Sequence, residues 1–268
     1  SNTGVWRNLA TQGFEIREWG VRSNGSLYLE DLKQLIDRTV CMIALPHVSN
    51  IIGQVNPVEE ICKIAKGKGI ITIIDGAHAP GHIGLDITQI GCDYYTGACH
   101  KWMCAPKGSS FLYVAKNFQK GMSPQIMSWG EEGDDPGPSQ FLMDFQWQGT
   151  KDMSAFLAIP SAIRFLQKNK WKEKSVISKN LISHLAGRLK HILGTESLFK
   201  NKNWIGQMIS HPLPTNSPIN LKDILWNDFK IEVPIFEWKK RNFIRVSAHF
   251  YNDQKDMDHL IKALKEIF

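Results

Sequence analysis

The sequence lacks the features that mark membrane-spanning and secreted proteins. None of its apolar runs approaches the roughly 18 residues that a membrane-spanning helix needs. Its start, SNTGVWRNLATQ, has neither the basic stretch nor the apolar stretch of a signal peptide. It also has no initiator methionine and begins just before a predicted helix, so we expect the start of the protein to be missing.

Cysteine is scarce, and its spacing does not suggest disulfides or zinc. The five cysteines are odd in number and scattered among apolar residues: Cys41, Cys62, Cys92, Cys99 and Cys104. This is typical of reduced thiols, so we expect a cytoplasmic protein. The last three, with His100, lie close in sequence, but they lack the paired C-x₂₋₄-C spacing of structural zinc, and Lys101 interrupts them. We therefore expect no metal site.

The charge does not indicate a nucleic-acid partner. The formal net charge of +6 comes mostly from lysine-rich helical stretches such as QKNKWKEKSVISKN, which are typical of a solvent-facing helix surface. The sequence contains no basic patch interleaved with aromatic residues, and it has no internal repeat. We expect a small-molecule partner, and neither nucleic acid nor a membrane.

Strand and helix patterns alternate in the first half of the chain. Strand candidates are FEIREWGV, TVCMIALP, IITIID, CDYYTGA and SSFLYV, and helix candidates are LYLEDLKQLID and PVEEICKIAKGKG. This order predicts an α/β fold with a three-layer, mainly parallel sheet. A loop rich in Gly, Pro and acids follows over residues 121–138, then two helices, strands IGQMISHP, KIEVPIF and NFIRVSA, and a last helix. We expect a large domain over residues 1–170 and a smaller α+β domain over residues 171–268.

One lysine lies in the most apolar part of the chain. Lys101 occurs within TGACHKWMCAPKGSSFLYV, and lysine is rarely buried unless it is paired or chemically used. In a low-dielectric pocket its amine would have a lowered pKa and be nucleophilic, as a Schiff-base lysine requires. The ordinary alternative is a lysine whose ammonium group reaches the surface.

A carboxylate precedes this lysine at the end of another strand. Asp75 ends IITIID, and ligands bind parallel sheets at the carboxyl ends of the strands, where Asn50 and Lys101 are also expected. Pyridoxal 5'-phosphate (PLP) needs a lysine for its aldehyde and an acid for its pyridinium nitrogen. An Asp and a Lys on neighbouring strand ends therefore suggest PLP, although Asp75 could instead cap the helix that follows.

Several segments together resemble one family. DGAHAPGHIGLDITQIGCDYYTGACHKWMCAPKGSSFLYV resembles the core of class V (fold type I) PLP-dependent aminotransferase-family enzymes, in particular their isopenicillin N epimerase-like branch. HVSNIIGQVNPV, WQGTKDMSAFLAIPSAIRFL and IRVSAHFYNDQKDMDHLIKAL resemble other motifs of that family, in the same order. The resemblance implies a PLP enzyme that acts on an amino acid as a homodimer with shared active sites.

The resemblance also assigns roles around the cofactor. Lys101 would form the Schiff base and then shuttle the α-proton of the substrate, and Asp75 would pair with the pyridine nitrogen. His78 and Asn50 would contact the phenolic oxygen of the ring, and His100 would reach the phosphate. Taken alone, either histidine could be an ordinary core residue, and Asn50 could be a turn residue.

The resemblance assigns further roles to residues in the second half of the chain, and the sequence departs from the family at one position. Gly149 and Thr150 would contact the phosphate of the cofactor in the neighbouring subunit, and Arg245 would clamp the α-carboxylate of the substrate. Thr150 could instead be a helix N-cap, and Arg245 could pair with a surface acid. Ala98 replaces the Ser or Asn that relatives use to hold the phosphate, so one side-chain donor is missing there.

The sequence narrows the reaction but leaves several open. Cysteine desulfurases of this class carry a nucleophilic cysteine before the arginine strand, whereas no cysteine follows Cys104 here, which disfavours desulfuration by that route. The stretch IEVPIFEW resembles the epimerase branch, which favours an epimerase-like, racemase-like or aminotransferase-like reaction. A PLP-dependent carbon–sulfur lyase, or a truncated chain without activity of its own, are the alternatives.

Overall fold

A four-stranded sheet forms the centre of the first part of the chain in the computed structural model, which describes residues 3–22, 27–130, 137–198 and 201–268. The strands lie in the order β1 (Met42–Pro46), β2 (Ile71–Gly76), β3 (Tyr94–Ala98) and β4 (Ser110–Val114). The first three strands are parallel to one another, and β4 is antiparallel to β3. The carboxyl ends of β1, β2 and β3 therefore meet at one edge of the sheet.

Helices connect and follow these strands. The structure gives α1 (Thr3–Leu9), α2 (Leu29–Leu35), α3 (Val58–Lys66), α4 (Ile87–Ile90), α5 (Lys116–Gln119), α6 (Gln140–Gln146), α7 (Ser154–Leu157) and α8 (Ile159–Lys168), with a 3₁₀ turn at Ala10–Gln12. Helix α3 begins after Pro57 and carries acids in its first turn and lysines in its last turn, which complements the helix dipole. Its apolar face packs against β2 in the first core.

The core of this part depends on close packing beneath the sheet edge. Tyr95 on β3 is fully buried, and its ring lies stacked with Phe111 of β4 at 6.3 Å between centroids. A Cβ at Gly76 would overlap the Tyr95 ring, so the last position of β2 accommodates only glycine. The end of β2, where Asp75 lies, therefore packs directly on the buried Tyr95 ring.

A second, antiparallel sheet follows in the C-terminal part. Its strands lie in the order β5 (Met208–Pro212), β7 (Arg241–Ser247) and β6 (Ile235–Trp238), and its helices are α9 (Trp171–Leu193), α10 (Leu221–Asn227) and α11 (Gln254–Ile267), with a 3₁₀ turn at Lys202–Trp204. Helix α11 begins with a capping box. The side chain of Asp253 accepts the backbone N–H of Asp256, and the side chain of Asp256 accepts the backbone N–H of Asp253. Helices α9 and α11 pack on each other and share the apolar core with β5 and β7.

The segment after β1 joins the two sheets. The backbone N–H of Ser210 on β5 donates to the carbonyl of Ile52, and Gln54 pairs with Ile205 in an isolated bridge. Gly53 has a φ of 79°, and a Cβ there would lie 2.8 Å from the Met208 carbonyl oxygen. Glycine at position 53 thus allows the loop after β1 to lie directly on β5.

Most of the predicted elements are present, and two strands differ. FEIREWGV forms no strand within the described residues; instead Arg17 binds Glu15 and Asp37, so side-chain contacts hold this segment. The strand predicted in KIEVPIF begins only at Ile235, because Pro234 has no N–H and contributes its carbonyl to Arg245 alone. Four helices were not predicted: α4, α5, α6 and α10.

Two expectations about chain organisation keep their status as predictions. The boundary between residues 170 and 171 coincides with the start of α9, where Lys170 has a φ of 53°, but the division into two domains stays a prediction. Of the loop predicted over residues 121–138, residues 131–136 lie outside the described residues. Within the described ranges, no helix is both long and apolar enough to cross a bilayer.

Candidate active site

Lys101 lies in a tight turn just beyond the end of β3. The turn is closed by the N–H of Cys104, which donates to the Lys101 carbonyl at 3.1 Å, and by the N–H of Ala105, which donates to the Cys99 carbonyl at 3.0 Å. Lys101 is exposed, which agrees with the alternative in which its ammonium group reaches the surface. Partial desolvation nevertheless lowers the pKa of Lys101; the charge of Asp75 opposes this effect, and that of Arg245 adds to it.

Asp75 lies at the end of β2, next to the lysine turn. It is paired in register with Pro46 on β1 and with Thr96 on β3, so it occupies the middle of the sheet edge. One carboxylate oxygen, Oδ1, accepts the N–H of Ala77 at 3.0 Å, which fixes the side chain on the carboxyl side of the strand. The structure therefore brings Asp75 and Lys101 together at neighbouring strand ends, as the sequence predicted.

His78 follows in the turn after β2 and is held as a neutral ring. Desolvation lowers the pKa of His78 to about 4, the positive charges of Lys101 and Arg245 add to the effect, and Asp75 opposes it. The indole Nε1 of Trp102 donates to His78 Nδ1 at 3.3 Å. The charges of Lys101, Arg245 and Asp75 all act on this ring, so the four side chains lie near one another.

Arg245 reaches this site from the second sheet. It lies on β7 opposite Ser210, and its Nη1 donates to the carbonyl of Asn50. Its Nε is buried and has no hydrogen-bond partner within the described part of the chain. Burial also lowers the pKa of Arg245, although the guanidinium stays charged at neutral pH. Asn50 thus enters the site through its backbone carbonyl, and its side chain is exposed.

The three remaining predicted residues are His100, which directly precedes Lys101, and Gly149 and Thr150. His100 is half-buried, and its Nδ1 donates to the Ser109 carbonyl at 2.9 Å. Gly149, with a φ of 93°, and Thr150 lie in the turn after α6, and neither forms a hydrogen bond to Lys101 or Asp75 among the described residues. Thr150 does not cap α7, whose N-cap is Met153. The roles assigned to these three residues stay predictions.

Sequence reasoning missed a layer of buried polar residues behind His78. His82 Nδ1 donates to the His78 carbonyl at 3.0 Å, and His82 Nε2 accepts the backbone N–H of Gln207 at 2.7 Å. The side-chain amide of Gln207 donates to the His82 carbonyl at 2.5 Å. His249 Nε2 donates to the carbonyl of Trp102 at 3.0 Å. These contacts join the turn after β2 to the second sheet, and the only sequence signal was the pair of histidines four residues apart in DGAHAPGH.

Four of the five cysteines lie in surroundings that disfavour the thiolate form. Burial raises the pKa of Cys62 to about 11 and that of Cys92 to about 12, and burial also raises the pKa of Cys99 and Cys104. Across the described ranges, no three His, Cys, Asp or Glu side chains are grouped so that they could hold a metal ion.

Comparison with known proteins places this arrangement in a family. The model of the family "Aminotransferase class-V" matches residues 1–260. An isopenicillin N epimerase from Amycolatopsis lactamdurans is 33% identical over 84% of this chain and 60% of that protein. A second isopenicillin N epimerase, from Streptomyces clavuligerus, is 32% identical over 81% of this chain and 58% of that protein. The chain thus spans about 60% of the length of these relatives.

Other relatives are cysteine desulfurases. A probable cysteine desulfurase from Halalkalibacterium halodurans is 26% identical and covers 99% of this chain and 68% of that protein. An apo structure of a cysteine desulfurase from Thermococcus onnurineus superposes with a TM-score of 0.84 at 23% identity, covering 97% of this chain and 68% of that chain. These findings confirm the predicted fold class, and the family match confirms the predicted family. The chain belongs to the class-V aminotransferase family.

Proposed function

We propose that this chain is part of a PLP-dependent enzyme that acts on an amino-acid substrate. The observation that carries the proposal is the meeting of Lys101, Asp75, His78 and Arg245 at one edge of the sheet, where their charges influence one another. The family membership and the two epimerase relatives support the same conclusion.

The chemistry of these residues fits PLP. The cofactor requires an amine for its aldehyde and a carboxylate for its ring nitrogen, and Lys101 and Asp75 supply them from adjacent strand ends. The buried Nε of Arg245, which lacks a partner among the described residues, fits a group that accepts hydrogen bonds, such as a substrate carboxylate. When bound, PLP would supply an electron sink for the substrate's α-carbon.

Each residue then performs a distinct task. Partial desolvation keeps a larger fraction of Lys101 unprotonated than in water, so its Nζ can attack a carbonyl carbon and later carry a proton. Asp75 would hold a proton on the ring nitrogen. His78, neutral at physiological pH, would hydrogen-bond the phenolic oxygen of the cofactor ring. Asn50 would contact the same oxygen. Arg245 would orient the substrate through its carboxylate.

His100 has a defined orientation for its proposed phosphate contact. Its Nδ1–H is occupied by the Ser109 carbonyl, so only Nε2 can face the phosphate. Nε2 donates to a phosphate only when the ring is doubly protonated. We infer that His100 would present Nε2 to the phosphate, two residues after Ala98, which offers no side-chain donor.

The reaction we favour is epimerisation or racemisation, or else transamination. All three reactions need an amine that moves a proton at the α-carbon, which would be the role of Lys101. A carbon–sulfur lyase is the alternative that the desulfurase relatives support. A chain without activity of its own is the other alternative, since the relatives are longer.

Exposed apolar side chains support the proposed homodimer. Trp129 is 81% exposed and Leu157 is 76% exposed, and they lie on either side of Gly149 and Thr150 in sequence. A second copy that covers these side chains would bring both residues toward the neighbouring site. We expect Leu157→Asp to shift the sedimentation coefficient from dimer to monomer, whereas Lys170→Asp, at another exposed position, leaves it unchanged.

Trapping the cofactor on the lysine tests the proposed function. The 268-residue chain is incubated with PLP, reduced with borohydride, digested and analysed by mass spectrometry. We expect a pyridoxyl group on Lys101, lost in Lys101→Ala and kept in Lys107→Ala, which removes another exposed lysine nearby. Equal labelling of the Lys101→Ala protein would disprove the lysine assignment. No labelling of the unmodified chain would support the alternative of an incomplete protein.

A further inference from the structure

The residue after the lysine, Trp102, hydrogen-bonds to a histidine of the site. Its indole Nε1 lies 3.3 Å from His78 Nδ1. Indole nitrogen is a donor only, so His78 Nδ1 must be the acceptor in this bond. A neutral imidazole carries one proton, and that proton is therefore on His78 Nε2.

Trp102 is itself held in place from three sides. It is buried, and its carbonyl accepts the Nε2–H of His249 at 3.0 Å. Its ring contacts the ring of His82 at 4.1 Å between centroids and that of His249 at 5.7 Å. Gly81 approaches its backbone so closely that a Cβ there would lie 2.5 Å from the Trp102 carbonyl carbon. The indole therefore has a fixed direction when it meets His78.

The proton positions of the neighbouring ring agree with this arrangement. His82 Nε2 accepts the N–H of Gln207, so the proton of His82 is on Nδ1 and is donated to the His78 carbonyl. Burial lowers the pKa of His82 to about 3, which keeps this ring neutral as well. His78 is thus fixed twice, through its carbonyl by His82 and through its ring by Trp102.

We propose that Trp102 is a positioning residue that sets the tautomer of His78, so that His78 presents Nε2–H as a donor to an acceptor oxygen of the bound ligand. The identity of that oxygen, the phenolic oxygen of PLP, rests on the proposed function. The opposite tautomer would present a lone pair to that oxygen and would repel it. Trp102 thereby selects, from the two neutral tautomers of His78, the one that carries the proton on Nε2.

Nitrogen-15 NMR of the histidine side chains in the cofactor-free chain tests this proposal. At pH 7.5, we expect His78, assigned with His78→Gln, to show a protonated-type Nε2 and an unprotonated-type Nδ1. In Trp102→Phe, which keeps an aromatic ring but removes the N–H, the two nitrogens should move toward a mixture of tautomers. A proton on Nδ1 in the unmodified chain would overturn the proposal, even when Trp102→Phe fails to fold.

Trp171→Phe is the matched control. This substitution also removes an indole N–H, the one that Trp171 donates to the Gly81 carbonyl at 2.6 Å. Trp171 forms no hydrogen bond to His78 among the described residues. We expect the His78 tautomer to be unchanged in this variant; an equal change in both variants, or no change in Trp102→Phe, would contradict the proposal. A purely structural role of Trp102 would lower stability without moving the proton.

Cofactor binding gives a second, separate readout. If PLP labels Lys101, its affinity should fall by up to about tenfold in Trp102→Phe, the size expected for one weakened hydrogen bond, and should stay the same in Trp171→Phe. The tautomer of His78 is measured without cofactor, so the proposal about Trp102 can be refuted even when PLP labels Lys101. Conversely, a failure of labelling leaves the tautomer result intact.

Discussion

Replacement of His82 by leucine tests how firmly the second sheet holds the candidate site. His82 is 2% exposed and joins the turn after β2 to the residue before β5 through both ring nitrogens. Leucine has a similar volume but no polar atom, so it removes the hydrogen bonds without leaving a large cavity. The main loss is the partner of the Gln207 N–H, which lies in a residue that is 1% exposed.

The magnitude follows from the groups left without partners. A buried N–H that loses its acceptor costs ~1–3 kcal/mol, and the weakened hydrogen bonding of the His78 carbonyl costs ~0.5–1.5 kcal/mol. Loss of the ring contact with Trp102 adds ~0.5–1.5 kcal/mol. The additional apolar area of leucine offsets roughly 1 kcal/mol of this. We therefore expect the free energy of unfolding to fall by about 1–5 kcal/mol.

Urea unfolding followed by tryptophan fluorescence measures this loss. The control is His184→Leu on the exposed surface of α9, which should change the free energy of unfolding by less than about 0.5 kcal/mol. A loss below about 1 kcal/mol in His82→Leu would show that the Gln207 N–H finds another partner. The inferred rigid link between the second sheet and His78 would then be wrong.

Three further predictions concern the floor of the site, its pH dependence and its arginine. Gly76→Ala should lower the free energy of unfolding by about 1–3 kcal/mol, because its Cβ would overlap the buried Tyr95 ring, whereas Gly84→Ala, with open space around it, should change little in the same urea assay. Five histidines whose pKa is lowered by burial should destabilise the fold in acid: His47, His78, His82, His211 and His249. On acidification, the unfolded state takes up protons on these histidines at a higher pH than the folded state does. The free energy of unfolding should therefore be highest above about pH 6.5 and fall toward pH 4, by up to ~1.4 kcal/mol per pH unit for each histidine. Urea midpoints that stay constant between pH 6.5 and 4.5 would contradict this. Arg245→Lys should weaken amino-acid binding to the PLP-loaded protein by about 10–100-fold in a calorimetric titration, because lysine cannot replace the planar fork; equal affinity would remove Arg245 from the substrate site.

Much of the site could be predicted because its residues lie at the ends of recognisable strands. The apolar run before Asp75 and the strand before Lys101 both ended where the sequence patterns indicated. Parallel pairing then places those two ends side by side without further information. The sequence also predicted a strand around Arg245, and Arg245 lies on β7; its role at the substrate stays a prediction.

The same reasoning could not predict how deeply Lys101 is buried. An apolar neighbourhood in sequence indicates buried strands, and β3 is indeed largely buried. Lys101, however, lies three residues beyond β3 and is an exposed residue of a turn that also contains the buried Trp102. Burial of a side chain depends on what packs over it from elsewhere in the chain. The lowered pKa of Lys101 therefore comes from partial desolvation, with Arg245 adding to it across the site.

The sequence by itself determined the order of strands and helices, and with it which residues lie at the carboxyl edge of the sheet, because periodicity and strand ends are local properties of the chain. Only the tertiary structure decided which ring nitrogens carry protons and what holds them. His82 and Gln207 are 125 positions apart, and Trp102 and His249 are 147 apart, so no local pattern records their contacts. Hydrogen-bond direction at these rings depends on how the second sheet packs against the first, and that packing fixes His78 as a donor.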